Sequence, residues 1–124
     1  MLEILPWTGE DFDEVFELLD TRSRAAFGVS EQQPAYLRQD LDVPGTDSWV
    51  AREHGRVAGY ASLQEDQEAS IAAVEPQVGD ALLEAVEERA RERGFARVAI
   101  TAVPQDEPLY TLAQRHGFER DREI

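Results

Sequence analysis

The stretch Val74-Glu75-Pro76-Gln77-Val78-Gly79-Asp80-Ala81 is where this sequence comes nearest to binding chemistry. A short apolar run, Ser70 to Val74, meets a proline, and a helical pattern begins almost at once. A strand that runs into a helix start offers an anion free backbone N–H groups and the positive end of the helix dipole. Phosphate sites of this kind also use a glycine-rich loop, and here only Gln77, Val78 and Gly79 stand at the junction. Glu75 and Asp80 place carboxylates at the same end. A carboxylate there interacts favourably with the dipole and competes with any external anion. The junction reads either as an ordinary acidic helix start or as a reduced anion site.

The other reactive side chains mostly exclude chemistry. The chain has no cysteine, which rules out disulfides, thiolate catalysis and cysteine metal sites. Its basic residues are all arginine, so there is no lysine for Schiff-base chemistry or self-acetylation. His54 falls in a turn and His116 in the last turn of a helix, with no metal-ligand spacing between them, and no metal is expected. Position gives no argument for a Ser–His–Asp arrangement. Arg89, Arg91 and Arg93 cluster late in a helix, at the wrong end for a phosphate.

A formal net charge of −14 repels polyanions at long range, which argues against nucleic acid and anionic lipid as partners. No apolar run approaches the roughly 18 residues a membrane span requires. The N-terminal MLEILPWTGED is acidic and lacks the basic start and small-residue cleavage site of a signal peptide. A cytoplasmic protein is expected. At 124 residues, 1–124 is expected to form a single domain.

These candidate groups need elements to position them. Leu2 to Trp7 reads as a first strand. Thr8 is placed to cap the next helix, with Asp11 at the capping-box position. Phe12, Val15, Phe16 and Leu19 then recur at helical spacing, and that helix is expected to run toward Phe27 and stop near Gly28. Pro34 to Leu41 suggests a short second helix before the turn at Pro44-Gly45. SWVAREHGRVAGYASLQ reads as a hairpin turning at His54-Gly55, and Ser70 to Val74 as a third meander strand. The helix from Val78 carries the stripe Leu82, Leu83, Val86, Ala90 and stops at Gly94. Arg97 to Val103 is a buried-type strand. Leu109, Leu112 and Ala113 mark a last short helix closed by Gly117, and Phe118 to Ile124 a final strand fragment. The order β-α-α-β-β-β-α-β-α-β describes an α/β sandwich on a mixed, mostly antiparallel sheet flanked by helices.

That order resembles the GNAT superfamily of acetyl-CoA-dependent N-acetyltransferases. The phrases that carry the resemblance are ILPWTGEDFDEVFELL, WVAREHGRVAGYASL, ALLEAVEERARERGFARVAI and LAQRHGF, which together cover nearly the whole chain. Families of this kind hold the CoA pyrophosphate in an Arg/Gln-x-x-Gly-x-Gly/Ala loop ahead of the long helix. The flanks of that loop match here, but several of its residues are missing, and its arginine and first glycine have no counterpart. The resemblance implies Val74, Gln77, Val78, Gly79, Asp80 and Ala81 as what is left of the acetyl-CoA site. Backbone donors from Val78 to Ala81 would meet the cofactor, and the strand before Pro76 would align its pantetheine arm.

The family also uses a carboxylate on the third meander strand to take a proton from the amine. That strand carries no acid here, and Glu68 with Glu65 just before it are the nearest, in a polar turn that solvation alone explains. A tyrosine before the Gly-Phe pair usually protonates the departing thiolate. Ala113 occupies its position and Asp106 that of an asparagine, while Tyr110 lies one turn earlier on the same face. Tyr110 is thus a displaced candidate, or half-buried packing with its hydroxyl at the surface. The segment from Thr21 to Gln33 would line an acceptor cleft.

The missing loop, the acid-free strand and Ala113 together imply a GNAT-like domain degenerate in acetyl-CoA binding and catalysis, acting as a binding or assembly module. The alternative is an active acetyl-CoA-dependent N-acyltransferase that moves an acetyl group to an amine of a small molecule or protein. The chain reaches only the first strand of the family's C-terminal pair, so a homodimer or a partner domain is expected to cover the sheet edge. It also resembles one half of tandem GNAT proteins, in which one half is often degenerate.

Overall fold

The computed structural model describes residues 2–28, 35, 37–39, 43–100 and 106–118. Five strands form one sheet in strictly sequential order: β1 (Leu2–Pro6), β2 (Asp47–Glu53), β3 (Arg56–Leu63), β4 (Glu68–Ala73) and β5 (Ala99–Ile100). The first four are antiparallel neighbours. β5 joins β4 in parallel, with Glu68 opposite Ala99 and Ala69 opposite Ile100. Three helices accompany them: α1 (Phe12–Phe27), α2 (Pro76–Glu92) and α3 (Glu107–Arg115). Residues 35 and 37–39 are also helical, within the short second helix expected from Pro34 to Leu41, whose remaining residues lie outside the described ones. So does the expected strand fragment after Phe118 and the edge it would leave.

Side chains on a strand alternate between faces, and each face here has its own core. On one, Ala61, Leu63, Ala69 and Ile71 pack beneath Val78, Leu82, Leu83 and Val86 of α2 and Leu112 of α3. On the other, Val50 and Tyr60 meet Val15 and Leu18 of α1, with Trp7 edge-on to Tyr60 at 5.4 Å. β3 is buried from Ala58 to Leu63 because helices cover both its faces. The apolar stripe of α2 is fully enclosed, and each Leu or Val there contributes about 1.5–3 kcal/mol relative to exposure.

The hairpin turns at His54 and Gly55, both at positive φ (55° and 77°), which suits the twist of two antiparallel strands. α1 ends on Gly28 at φ 76°, as its sequence implies. Its start differs from expectation. Thr8 does not cap the helix; its hydroxyl donates to the Glu10 carboxylate, while the indole N–H of Trp7 donates to the Glu10 carbonyl at 2.6 Å. The turn through Gly9 then brings Asp11 to the N-cap position without a side-chain cap. α1 is fixed to the sheet instead by Glu14, whose carboxylate accepts the Val57 N–H at 2.8 Å.

Candidate functional site

Only two residues, Val74 and Glu75, separate the end of β4 from α2, so the strand delivers its last peptides directly to a helix start. Pro76 at the first turn has no N–H to lose. The Val78 and Gly79 amides both donate to the Glu75 carbonyl, at 3.1 and 3.2 Å. No side chain caps the helix: the Glu75 carboxylate takes the Gln77 side-chain amide. Among the described residues the Gln77 backbone N–H finds no acceptor.

A cavity of about 320 Å³ opens at this junction. Its walls are the 71–76 segment, Gly79 of α2, and Asp106 to Leu109, Thr111, Leu112 and Arg115 of α3, with Arg22 reaching in from α1. The described pairing of β4 with β5 stops at Ala69–Ile100, below the cavity. The backbone of β4 presents hydrogen-bonding groups to it. Val74 N–H donates to Ala58 O on β3, and in an antiparallel ladder successive residues alternate sides. Ala72 and Ser70 therefore also face β3, while Ala73 and Ile71 turn their N–H and C=O the other way, toward the cavity side.

Two contacts set the width of this space. Gly79 is where α3 crosses α2: a Cβ at that position would lie 3.1 Å from Leu112 Cδ2. Arg22 Nη2 meets Asp106 Oδ1 at 3.3 Å and so ties α1 to the start of α3 across the end of β4. The other end of α3 is held by Asp80. Its Oδ1 accepts from Arg115 at 2.6 Å and lies 2.8 Å from His116 Nε2, while His116 Nδ1 is 3.5 Å from Glu87. The Arg115 hydrogen bond first, then that of His116, holds the Asp80 carboxyl below its ordinary value.

The sequence matches the acetyltransferase (GNAT) family over residues 12–118. The chain belongs to the GNAT acetyltransferase family. A mycothiol acetyltransferase of Stackebrandtia nassauensis is 33% identical over 122 residues, covering 88% of this chain and 40% of that protein. The chain thus spans well under half the length of that relative. Among solved structures, a ribosomal-protein-alanine N-acetyltransferase from Brucella melitensis superposes with a TM-score of 0.76 at 17% identity, covering 100% of this chain and 96% of the other. A GCN5-related N-acetyltransferase from Ralstonia eutropha gives 0.75 at 21% identity, over 100% and 96%. AAC(6')-Iy, solved with the bisubstrate analog CoA-S-monomethyl-acetylneamine, gives 0.76 at 17%, over 100% and 95%. These likenesses agree with the observed α/β architecture.

Within this GNAT domain the residues singled out from sequence scatter. Val74 and Gly79 line the cavity, Val74 with 55% of its surface exposed. Gln77 stands exposed beside Glu75, and Val78 is buried in the core against the β3 backbone at Gly59. Asp80 is engaged with α3, and Ala81 is half-buried away from the cavity wall. Tyr110 is half-buried on α3, but its neighbours Leu109, Thr111 and Leu112 form the wall. Glu68, expected in the turn before the strand, is instead the first residue of β4, so the strand does carry an acid; it lies exposed there, roughly 17 Å of strand from Ala73.

Arg22 belongs to the Thr21–Gln33 segment expected to line an acceptor cleft, but sequence reasoning missed Thr111 and Arg115 as cavity residues. Thr111 carried no signal. Arg115 stood next to His116 in the last turn of a helix, where a cation is expected on dipole grounds alone. Among the described residues there is no cluster of metal-ligating side chains, and no helix is long and apolar enough to cross a membrane.

Proposed function

We propose that this chain is an acetyl-CoA-binding GNAT domain that transfers an acetyl group to a primary amine of a small molecule or protein. The observation that carries the reading is the cavity at the end of β4. Outward-turned peptides of Ile71 and Ala73, the apolar walls of Val74, Pro108, Leu109 and Leu112, and a helix start without a side-chain cap converge there. A pantetheine arm, with its amides and methylenes, suits those peptides and those walls. The relatives carry the names of acetyltransferases, which fits an active domain better than a degenerate one.

Acetyl-CoA supplies an acetyl group activated as a thioester. The chain's own part is to align it along β4, to keep water from the apolar wall, and to present carboxylates to the acceptor. Glu75, Asp106 and Glu107 border the cavity, attract an ammonium group and accept its hydrogen bonds.

A thermal melt with and without acetyl-CoA at low salt tests binding. A ligand at a hundred times its Kd stabilises by about 2.7 kcal/mol, a rise of several degrees. Transfer is then read as thiol release with an amine panel, and the absence of cysteine leaves no background thiol from the protein. No melting shift and no thiol release would refute the reading.

A binding or assembly module is the second reading. It is favoured by the placement of Glu68 and Tyr110 away from the cavity wall. A second copy or a neighbouring domain over a sheet edge belongs to this reading, and light scattering that gives a monomer mass at high micromolar concentration would remove the homodimer.

A further inference from the structure

The cavity border carries more negative than positive side chains. Glu75, Asp106 and Glu107 face Arg22 and Arg115. Arg22 is engaged by Asp106 on the α1 side. At the α2 end, where Glu75, Pro76 and Gly79 form the wall, Arg115 is the cation of the lining. Its guanidinium is held by Asp80, in the second turn of α2.

The geometry points to Arg115 as the phosphate-binding side chain of this cavity, with Asp80 as an internal stand-in that a donor phosphate displaces. This rests on the acetyl-CoA reading above and assigns the anion contact that the short β4–α2 junction does not supply through a loop. Guanidinium pairs with phosphate as readily as with carboxylate, through the same planar fork of donors. The exchange leaves no bare carboxylate, because Asp80 Oδ1 also faces His116 Nε2 at 2.8 Å and keeps that partner. It requires little desolvation, since the Arg115 and Asp80 side chains are 42% and 37% exposed. The Gln77 N–H, without an acceptor among the described residues, lies on the same helix start and adds a backbone donor.

The test compares three ligands by calorimetry at low salt: acetyl-CoA, S-acetyl-pantetheine, which lacks the phosphates, and inorganic pyrophosphate. Wild type should bind acetyl-CoA about tenfold more tightly than S-acetyl-pantetheine, the scale of one charge-assisted contact. Arg115→Gln should remove that advantage and leave S-acetyl-pantetheine unchanged. Arg115→Lys, which keeps the charge without the fork, should restore part of it. Asp80→Asn should raise acetyl-CoA affinity severalfold with no effect on S-acetyl-pantetheine.

An advantage that survives Arg115→Gln, or an Asp80→Asn variant that binds acetyl-CoA no better, overturns the assignment. Equal binding of the two thioesters by wild type overturns it while leaving the acetyl-CoA reading standing. Should neither thioester bind, that reading falls, and pyrophosphate decides Arg115 alone. Binding to Asp80→Asn that Arg115→Gln abolishes supports the site, and no binding removes it.

Discussion

Replacing Gly59 with alanine should destabilise the domain by about 1–2 kcal/mol, because α2 rests directly on the β3 backbone at that residue. The added methyl would lie 2.7 Å from Leu82 Cδ1, 2.9 Å from Val78 Cγ1 and 3.0 Å from the Ala72 carbonyl oxygen. Carbon atoms in contact prefer about 3.5–4.0 Å, so both side chains must retreat by roughly 1 Å. Neither has room: Val78 and Leu82 are both 0% exposed, and the third neighbour is backbone. Overpacking of this kind costs about 1–3 kcal/mol. The stiffer unfolded chain returns about 0.4–1 kcal/mol. For 124 residues, 1 kcal/mol corresponds to about 4 °C, so the midpoint should fall by about 4–8 °C. Calorimetry reads the midpoint, and urea unfolding should show an unchanged slope. The double variant Gly59→Ala/Leu82→Ala should lose less stability than the two single losses added together, since the Leu82 clash has gone while those with Val78 Cγ1 and the Ala72 carbonyl remain. A midpoint that holds or rises in Gly59→Ala, or strict additivity in the double variant, would refute the packing argument.

Gly79→Ala has the opposite expectation. It gains up to about 1 kcal/mol of helix propensity, and Leu112, 3.1 Å from the new methyl, can yield into the cavity it lines. Its melting point should hold or rise while the shift induced by acetyl-CoA shrinks. Asp80 has a lowered carboxyl value in the folded state, below the ordinary 3.8, so its ion contacts stabilise above that value and are lost as pH falls through the folded one. In urea titrations from about pH 5 to below 3, wild type should lose stability relative to Asp80→Asn. Asp47 accepts from Arg89 at 3.0 Å and Arg93 at 3.1 Å, so Asp47→Ala should cost about 1 kcal/mol, less in high salt. Tyr110→Phe should keep acetyl transfer within about twofold, and a hundredfold loss would mark it as a general acid.

Where one segment's own periodicity decides its fate, the sequence was sufficient. Leu82, Leu83, Val86 and Ala90 announce a buried helical stripe, and all four are buried. His54-Gly55 announces a tight hairpin, and the strands begin on either side of it. The start of α1 was not legible, because Thr8 chose Glu10 over the helix amides, and two local hydrogen-bonding options of similar strength cannot be ranked from residue types. The strand expected from Arg97 to Val103 begins only at Ala99, Arg97 and Val98 not being part of it, and the residues from 101 lie outside the described ones. The cavity was least legible. It depends on how α3 crosses α2 at Gly79 and Leu112 and on an Asp80–Arg115 contact 35 residues apart in sequence. No spacing rule reports either. Gly79 looked like part of a phosphate loop, and its packing against Leu112 gives it a separate reason to be glycine.

α3 buries a single side chain, Leu112, whereas α2 buries six residues. Beyond Leu112 and the half-buried Leu109, it is moored among the described residues by the pairs at its two ends, Arg22–Asp106 and Asp80 with Arg115 and His116. Undocking this helix therefore costs far less than unfolding the sheet, and the domain has at least two rungs on its ladder of opening free energies. Amides of α3 should exchange with solvent through a local opening that denaturant barely accelerates. Those of β3 and α2 should wait for global unfolding. Any occupant of the cavity touches both sides of that joint, so it slows α3 exchange by the factor that its concentration exceeds its Kd. Ligand occupancy can thus be followed in the protection of one nine-residue helix, without any catalytic turnover.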